Sequence, residues 1–345
     1  MPFCIIYILI AAVGFFIPSE KRQKTVLLIS CIFLFVLLSF RSAEVGTDTG
    51  RYCEEFLKYG HYSWEKVFSL GTNYGFYIFN KLLSYIFPNG YTGYLTVVAF
   101  ITSISIWYFL KNNSEDYALS QVMLLSLGFI LFFFSGIKQT LAMSILFFAY
   151  EKLKRKKILA FILLTISAAL FHNTALIFLL ALPVFALKGN KKLLLLAPIL
   201  IILCYIFRSQ ITEFIKSILG DEFYSQYGDA YKSQNNLTGF FIQLVIIIAS
   251  CVLYYTSSYR DEQYEKVIGI YVIGICFQCM TGIIAEFFRI SMYFSVYGAI
   301  LFPNALRHSR FERNSKTMVR VLSFLFFAAY FIAFSGKGFI YTFVW

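Results

Sequence analysis

Apolar runs recur from one end of the chain to the other, and several approach the ~20 residues a helix needs to cross a bilayer core about 30 Å thick. The runs are continuous, so they do not read as the alternating ~10-residue strands of a membrane barrel. Nor do they suit a soluble domain. Only 14% of the 345 residues are charged and 59% are hydrophobic, against about 25% charged in soluble proteins. The pattern predicts an all-α polytopic membrane protein, a single integral-membrane domain over residues 1–345. About twelve spanning helices are expected, at 3–17, 26–40, 91–110, 118–134, 137–150, 158–170, 174–187, 193–207, 239–256, 267–284, 287–305 and 319–335. The apolar piece 76–87 is different. At ~1.5 Å per residue it is only about 18 Å long, and it carries Asn80 and Lys81 at its centre. It is expected to be one short interfacial or re-entrant helix.

The net charge of +12 would suit a nucleic-acid binder, but the charges are placed otherwise. With 76–87 not crossing, one side of the membrane receives "SEKRQK", "KNNSED", "EKLKRKK", "LKGNKK", "SYRDEQYEK" and "RHSRFERNSKTMVR", which hold 19 Lys/Arg against 8 Asp/Glu. The other side holds 10 of each. The positive-inside rule puts the first set in the cytoplasm and both termini outside. The basic balance is thus a topology signal, and no nucleic-acid partner is expected. Two larger loops, about 41–75 and 208–238, fall outside and show little apolar patterning of their own. Six of the seven cysteines (Cys4, Cys31, Cys204, Cys251, Cys276, Cys279) sit in apolar segments without metal spacing, and the histidines are scattered. No metal and no cofactor is indicated.

Ionisable residues at the outer helix ends form a short list. Arg41 closes one helix, and Asp48 follows in "VGTDTGRY". Lys138 and Gln139 open the helix of "SGIKQTLAMS", His172 occupies the turn "LFHNTAL", and Glu286 and Arg289 stand one turn apart in "AEFFRISMY". Such groups are costly at the edge of hydrocarbon and tend to line a bundle interior or a wet cavity. Plain readings exist for each. Arg41 would snorkel to headgroups, Asp48 would make an Asx-turn, His172 would end its helix, and Glu286 with Arg289 would be a local ion pair. Lys138 fits a plain reading least well, because a cation at a helix N-terminus opposes the helix dipole.

Together "FRSAEVGTDTGRY", "SGIKQTLAMSILFFAYEKLKRKKILAFILLTISAALFHNTALIF" and "EFFRISMYF" resemble the EpsG family of bacterial exopolysaccharide and O-antigen (Wzy-type) polymerases. The family's marks are an Arg followed by a Gly-x-Asp-x-x-x-Tyr turn, here Arg41, Gly46, Asp48 and Tyr52; an Arg-Gln pair opening a helix, here Lys138 and Gln139; a basic loop and then a His between helices, here His172; and a late Arg with a Tyr four residues on, here Arg289 and Tyr293. Two positions depart from the pattern. Lys138 stands where the family has Arg, which keeps the charge and loses the bidentate fork. Asn73 or Tyr74 stands where an acid often precedes the short helix.

The resemblance implies a glycosyltransferase-type polymerase that joins oligosaccharide repeat units carried on undecaprenyl diphosphate, on the outer face of the bacterial cytoplasmic membrane. A flippase and a chain-length regulator of the same pathway are the implied protein partners. Arg41, Lys138 and Arg289 would then face the diphosphate leaving group, where cations offset developing charge. Gln139, Tyr52 and Tyr293 would contact substrate. The acceptor hydroxyl needs a general base, for which His172, Asp48 and Glu286 are the candidates. His172 stands first, because an imidazole titrates near ~6.5. Two other functions fit less well: a flippase for lipid-linked oligosaccharide wants charge through mid-membrane, and a membrane acyltransferase wants a His facing a cytoplasmic acyl donor.

Overall fold

The computed structural model describes residues 2–17, 20–186, 191–219, 237–283 and 287–344. Regular structure among them is helical, apart from one isolated bridge between Arg41 and Phe343. The expected runs coincide with helices to within a few residues, but run length is not helix length. Four described helices are long and apolar enough to cross a membrane: Glu20–Ser39, Thr92–Asn113, Thr238–Thr256 and Arg313–Ser335. Two bent pairs raise the number to six, Tyr117–Ser126 with Phe129–Ser135 (55°) and Ala197–Ile206 with Arg208–Phe214 (75°). Pro2–Phe16, Ile158–Phe171 and Asn173–Ala186 are apolar but shorter. Breaks account for much of the distance from twelve. Gly128, at φ +84°, interrupts the run 118–134, and the run 287–305 parts into Phe287–Ser295 and Gly298–Arg307.

The chain divides into two compact units, residues 1–179 with 313–345, and residues 180–312. In the first, α1 (Pro2–Val13), α2 (Glu20–Ser39), α6 (Thr92–Asn113), α7 (Tyr117–Ser126), α9 (Ile137–Lys154) and α10 (Ile158–Phe171) pack side by side with the helix Arg313–Tyr330. Aromatic stacking ties them, as in Phe109 on Phe147 at 4.5 Å, and Ser105 bonds Ser144 across α6 and α9 at 3.0 Å. One end is closed by polar pairs. Arg320 forks onto Asp116, and Lys154 reaches Glu151 at 3.1 Å and Asn113 at 2.7 Å.

The other end carries a cap that the sequence pattern had assigned to a loop. Residues 41–75 fold largely into α3 (Thr49–Tyr59) and α4 (Trp64–Phe68), followed by α5 (Tyr74–Ile86). The correction has a simple cause. Tyr52, Cys53, Phe56 and Tyr59 recur at helical spacing and are all buried, but the polar residues between them hide the stripe in a hydropathy average. These side chains join Phe76, Tyr77, Leu83, Tyr94, Leu95, Ile137 and Leu141 in one cluster. Phe56 stacks on Tyr94 at 4.5 Å with planes 10° apart. Burying each such side chain contributes about 1.5–3 kcal/mol relative to water.

Both ends of α5 stay at this end of the unit. Asn73, before it, accepts a hydrogen bond from the Asn173 N–H at 3.1 Å, and Phe87, after it, packs on Gly93 at the start of α6. The short helix therefore lies across the bundle end, as its length requires. Lys81 has a task there: its ammonium donates to the Tyr59 carbonyl at 2.9 Å. A cation at the C-terminus of α3 complements the helix dipole.

In the second unit, Phe287–Ser295 packs along Glu262–Cys279. Ser291 donates to the Gly274 carbonyl at 2.8 Å, and Phe277 stacks with Phe294 at 6.0 Å. The expected loop 208–238 begins as the helix Arg208–Leu219, and 220–236 lies outside the described residues.

Candidate functional site

The turn after α2 is shaped by Gly46, whose φ is +94°. A Cβ there would run into the Phe134 carbonyl at the end of α8 (Phe129–Ser135). Glycine lets the turn lie directly on the junction between α8 and α9. Thr47 N–H donates to Ser135 Oγ at 2.9 Å, and Thr49 Oγ1 donates to the Phe134 carbonyl. Two sequence marks far apart in the chain, the Gly-x-Asp turn and the Lys-Gln helix start, are thereby stitched together.

Arg41 points into this junction and is 1% exposed. Its Nη1 donates to the Leu38 carbonyl at 2.6 Å, and the guanidinium carbon lies 5.5 Å from the centre of the Phe134 ring. Nε and Nη2 are buried and have no hydrogen-bond partner among the described residues. Burial pulls its pKa down to about 10, against the opposing influence of Cys53, Tyr94 and Tyr341. It remains a cation at neutral pH.

Lys138 stands in the first turn of α9. Its ammonium lies 4.9 Å from the Phe76 ring centre, 5.1 Å from Tyr77 and 6.0 Å from Tyr52. Ring faces attract a cation but do not neutralise it. No salt bridge reaches Arg41 or Lys138 among the described residues. Gln139, next in the helix, is buried.

Asp48 stands at the N-cap position of α3, where its side chain makes no cap hydrogen bond, and pairs with Arg51 at 3.6 Å, within its own turn rather than with Arg41. His172 ends α10 in extended conformation, and its carbonyl accepts the Ala175 N–H. The Asn73–Asn173 bond joins that turn to the start of α5, where Phe76 and Tyr77 face Lys138. Arg41, Asp48, Tyr52, Lys138, Gln139 and His172 thus all occur at one end of the first unit. Arg289 and Tyr293 belong to the second unit, where Tyr293 is buried and Arg289 lies 5.9 Å from the Phe288 ring centre. Glu286 lies outside the described residues.

Several participants carry no motif. Tyr94 is fully buried and its hydroxyl has no partner among the described residues. Asn73 joins α5 to the His172 turn. The segment 339–344 covers Arg41; its alternation of aromatic and β-branched residues, "FIYTFV" after two glycines, is the available signal of an extended piece. Among the described residues no three His, Cys, Asp or Glu side chains converge as a metal site requires.

What these groups can do is hold an anion. A buried fork with two unpaired nitrogens and a half-buried ammonium walled by rings provide positive charge, which acts most strongly where water is excluded. Compared with known proteins, residues 24–344 match the model of the EpsG family. No curated protein and no solved structure matches the chain.

Proposed function

The chain belongs to the EpsG family, and from that premise we propose that it is a polysaccharide polymerase working at the outer face of the bacterial cytoplasmic membrane. Its substrates are oligosaccharide repeat units on undecaprenyl diphosphate, and its product is exopolysaccharide, capsule or O-antigen. An acceptor hydroxyl forms the new glycosidic bond at the anomeric carbon of the growing chain, and the bond from that carbon to its lipid diphosphate breaks. A base takes the hydroxyl proton, and the diphosphate departs with the electron pair.

The observation that carries this reading is Arg41, a buried cation with two unpaired nitrogens and no carboxylate within ion-pair distance among the described residues. A structural arginine would be neutralised, because an uncompensated buried charge is costly. A leaving diphosphate supplies the missing negative charge. Lys138 adds a second cation, and His172 is placed first as the base. Arg289 is the third cation of the proposal, with Asp48 and Glu286 as the alternative bases. In this reading the shorter and broken apolar helices also cross, giving about twelve spans, and the cap of α3 to α5 lies at the outer surface.

Purified protein incubated with a synthetic lipid-diphosphate repeat unit should give a ladder of polymer on a gel. Absence of a ladder, with single units accumulating inside cells that lack the protein, would replace the polymerase by a flippase.

A further inference from the structure

Residues 336–344 lie over the site without a role in the reading above. They follow the helix Arg313–Tyr330 and its π-helical continuation Phe331–Ser335, and Gly338 holds φ at +80°, which L side chains rarely adopt. Beyond it the chain lies along the end of α2, and Phe3 packs on Tyr341 at 4.9 Å and on Phe343 at 5.4 Å. Ser42 N–H donates to the Thr342 carbonyl at 2.9 Å, and Val344 N–H donates to the Phe40 carbonyl at 3.0 Å. The Ser42 and Thr342 hydroxyls are 2.6 Å apart, and the Tyr341 hydroxyl donates to the Leu37 carbonyl at 2.9 Å. Phe339 and Tyr341 pack on Phe134 at 5.3 and 6.1 Å, the same ring that faces the Arg41 guanidinium.

Arg41 pairs with Phe343 near the end of this strap. The arrangement is lopsided. A charged fork is sealed from water with two nitrogens unpaired, although burying a charge without a partner is among the costliest things a fold can do. The strap is held by two backbone hydrogen bonds, two side-chain ones and ring packing on Phe134 and Phe3, and it follows a glycine at φ +80°.

We propose that residues 336–344 form a lid on an anion site: the strap lifts at Gly338 to let a diphosphate reach Arg41. This rests on Arg41 being the diphosphate-binding cation of the proposed polymerase. A lid at this position excludes water when shut, and charge interactions strengthen in the drier site. Neither the turn motif nor the hydropathy of the chain assigns the segment such a task.

The test locks the strap. Ser42→Cys with Thr342→Cys puts two thiols where two hydroxyls now touch, and oxidation should join them. Each single variant, and the unaltered protein, controls for oxidation of native cysteines. Protein in lipid nanodiscs is titrated with undecaprenyl diphosphate before and after oxidation, with the cross-link read by mass spectrometry. The oxidised double variant should bind at least about tenfold more weakly, because apparent affinity falls with the fraction of open protein, and dithiothreitol should restore it. Adding Arg41→Ala should bring the reduced form down to the oxidised level. Equal binding in both redox states overturns the lid, and so does absence of binding in either. Polymer is scored on separate samples. A reduced protein that shows redox-dependent binding but makes no polymer counts against the polymerase and leaves the lid standing.

Discussion

At one end of the first unit Arg320 forks onto Asp116 and Lys154 reaches both Glu151 and Asn113; at the other, Arg41 and Lys138 face backbone and aromatic rings. The same fold satisfies some of its cations and leaves others short of negative charge. A satisfied cation contributes to folding and has little left to offer a ligand. An unsatisfied one costs stability and is poised to bind an anion. The difference separates structural from working charge without reference to motif.

The sharpest way to break this contrast is to remove one arginine from each end. Arg41→Ala should abolish polymer while leaving the amount of protein in the membrane unchanged. Arg320→Ala strands Asp116, and breaking a buried pair of this kind should cost about 3 kcal/mol, visible as lower accumulation and a lower Tm. If Arg41→Ala is lost from the membrane as Arg320→Ala is, Arg41 is structural and the contrast fails.

His172→Gln tests whether the turn next to the cations carries the base. A positioned general base is worth roughly 10²–10⁴ in rate, so ladder formation by matched protein should slow by that order, with lipid-diphosphate binding retained. An unchanged rate would move the base to Asp48 or Glu286.

Gly46→Ala probes the stitching of the turn to the α8–α9 junction. The left-handed backbone alone should cost about 1–2 kcal/mol, and the new methyl group meets the Phe134 carbonyl. Polymer output should drop more than Tm does, because the displaced turn carries Arg41. A normal ladder would mean that the turn does not position the arginine.

Arg41→Lys asks whether the burial itself matters. Burial holds Arg41 to about 10, and the same burial would bring a lysine to a value below its ordinary ~10.4. The variant would then lose its cation as pH rises through that value, so polymer should fall on the alkaline side while the native protein stays flat. Stability should move the other way over the same window, because the unfolded chain binds the proton more tightly. Parallel pH profiles would contradict a dry site.

The smallest effect is expected from paired amide substitutions in the cap. Asp48→Asn removes a partly exposed ion pair to Arg51, worth less than about 1 kcal/mol, and Glu54→Gln removes an exposed charge. Polymer length at matched protein level should shorten for Asp48→Asn alone if the carboxylate touches substrate. Near-normal polymer in both leaves Asp48 with only its local pairing to Arg51.

Sequence alone determined the helical class, the approximate place of the apolar helices and the short list of charged residues. Apolar run length and charge bias are one-dimensional properties that survive any packing. The residues 41–52, 138–139 and 172 were legible as separate marks, because each sits at a helix end where an ionisable group is conspicuous. Tertiary structure decided which helices are long or broken, and that α5 lies across the bundle end. It also decided that 41–75 is a folded cap, that Asp48 pairs with Arg51, and that residues 339–344 return to cover Arg41. Those facts depend on partners that include some about 300 residues apart, as with the Ser42 and Thr342 hydroxyls. Whether a buried arginine is paired or left hungry for an anion is set by what the rest of the chain brings to it.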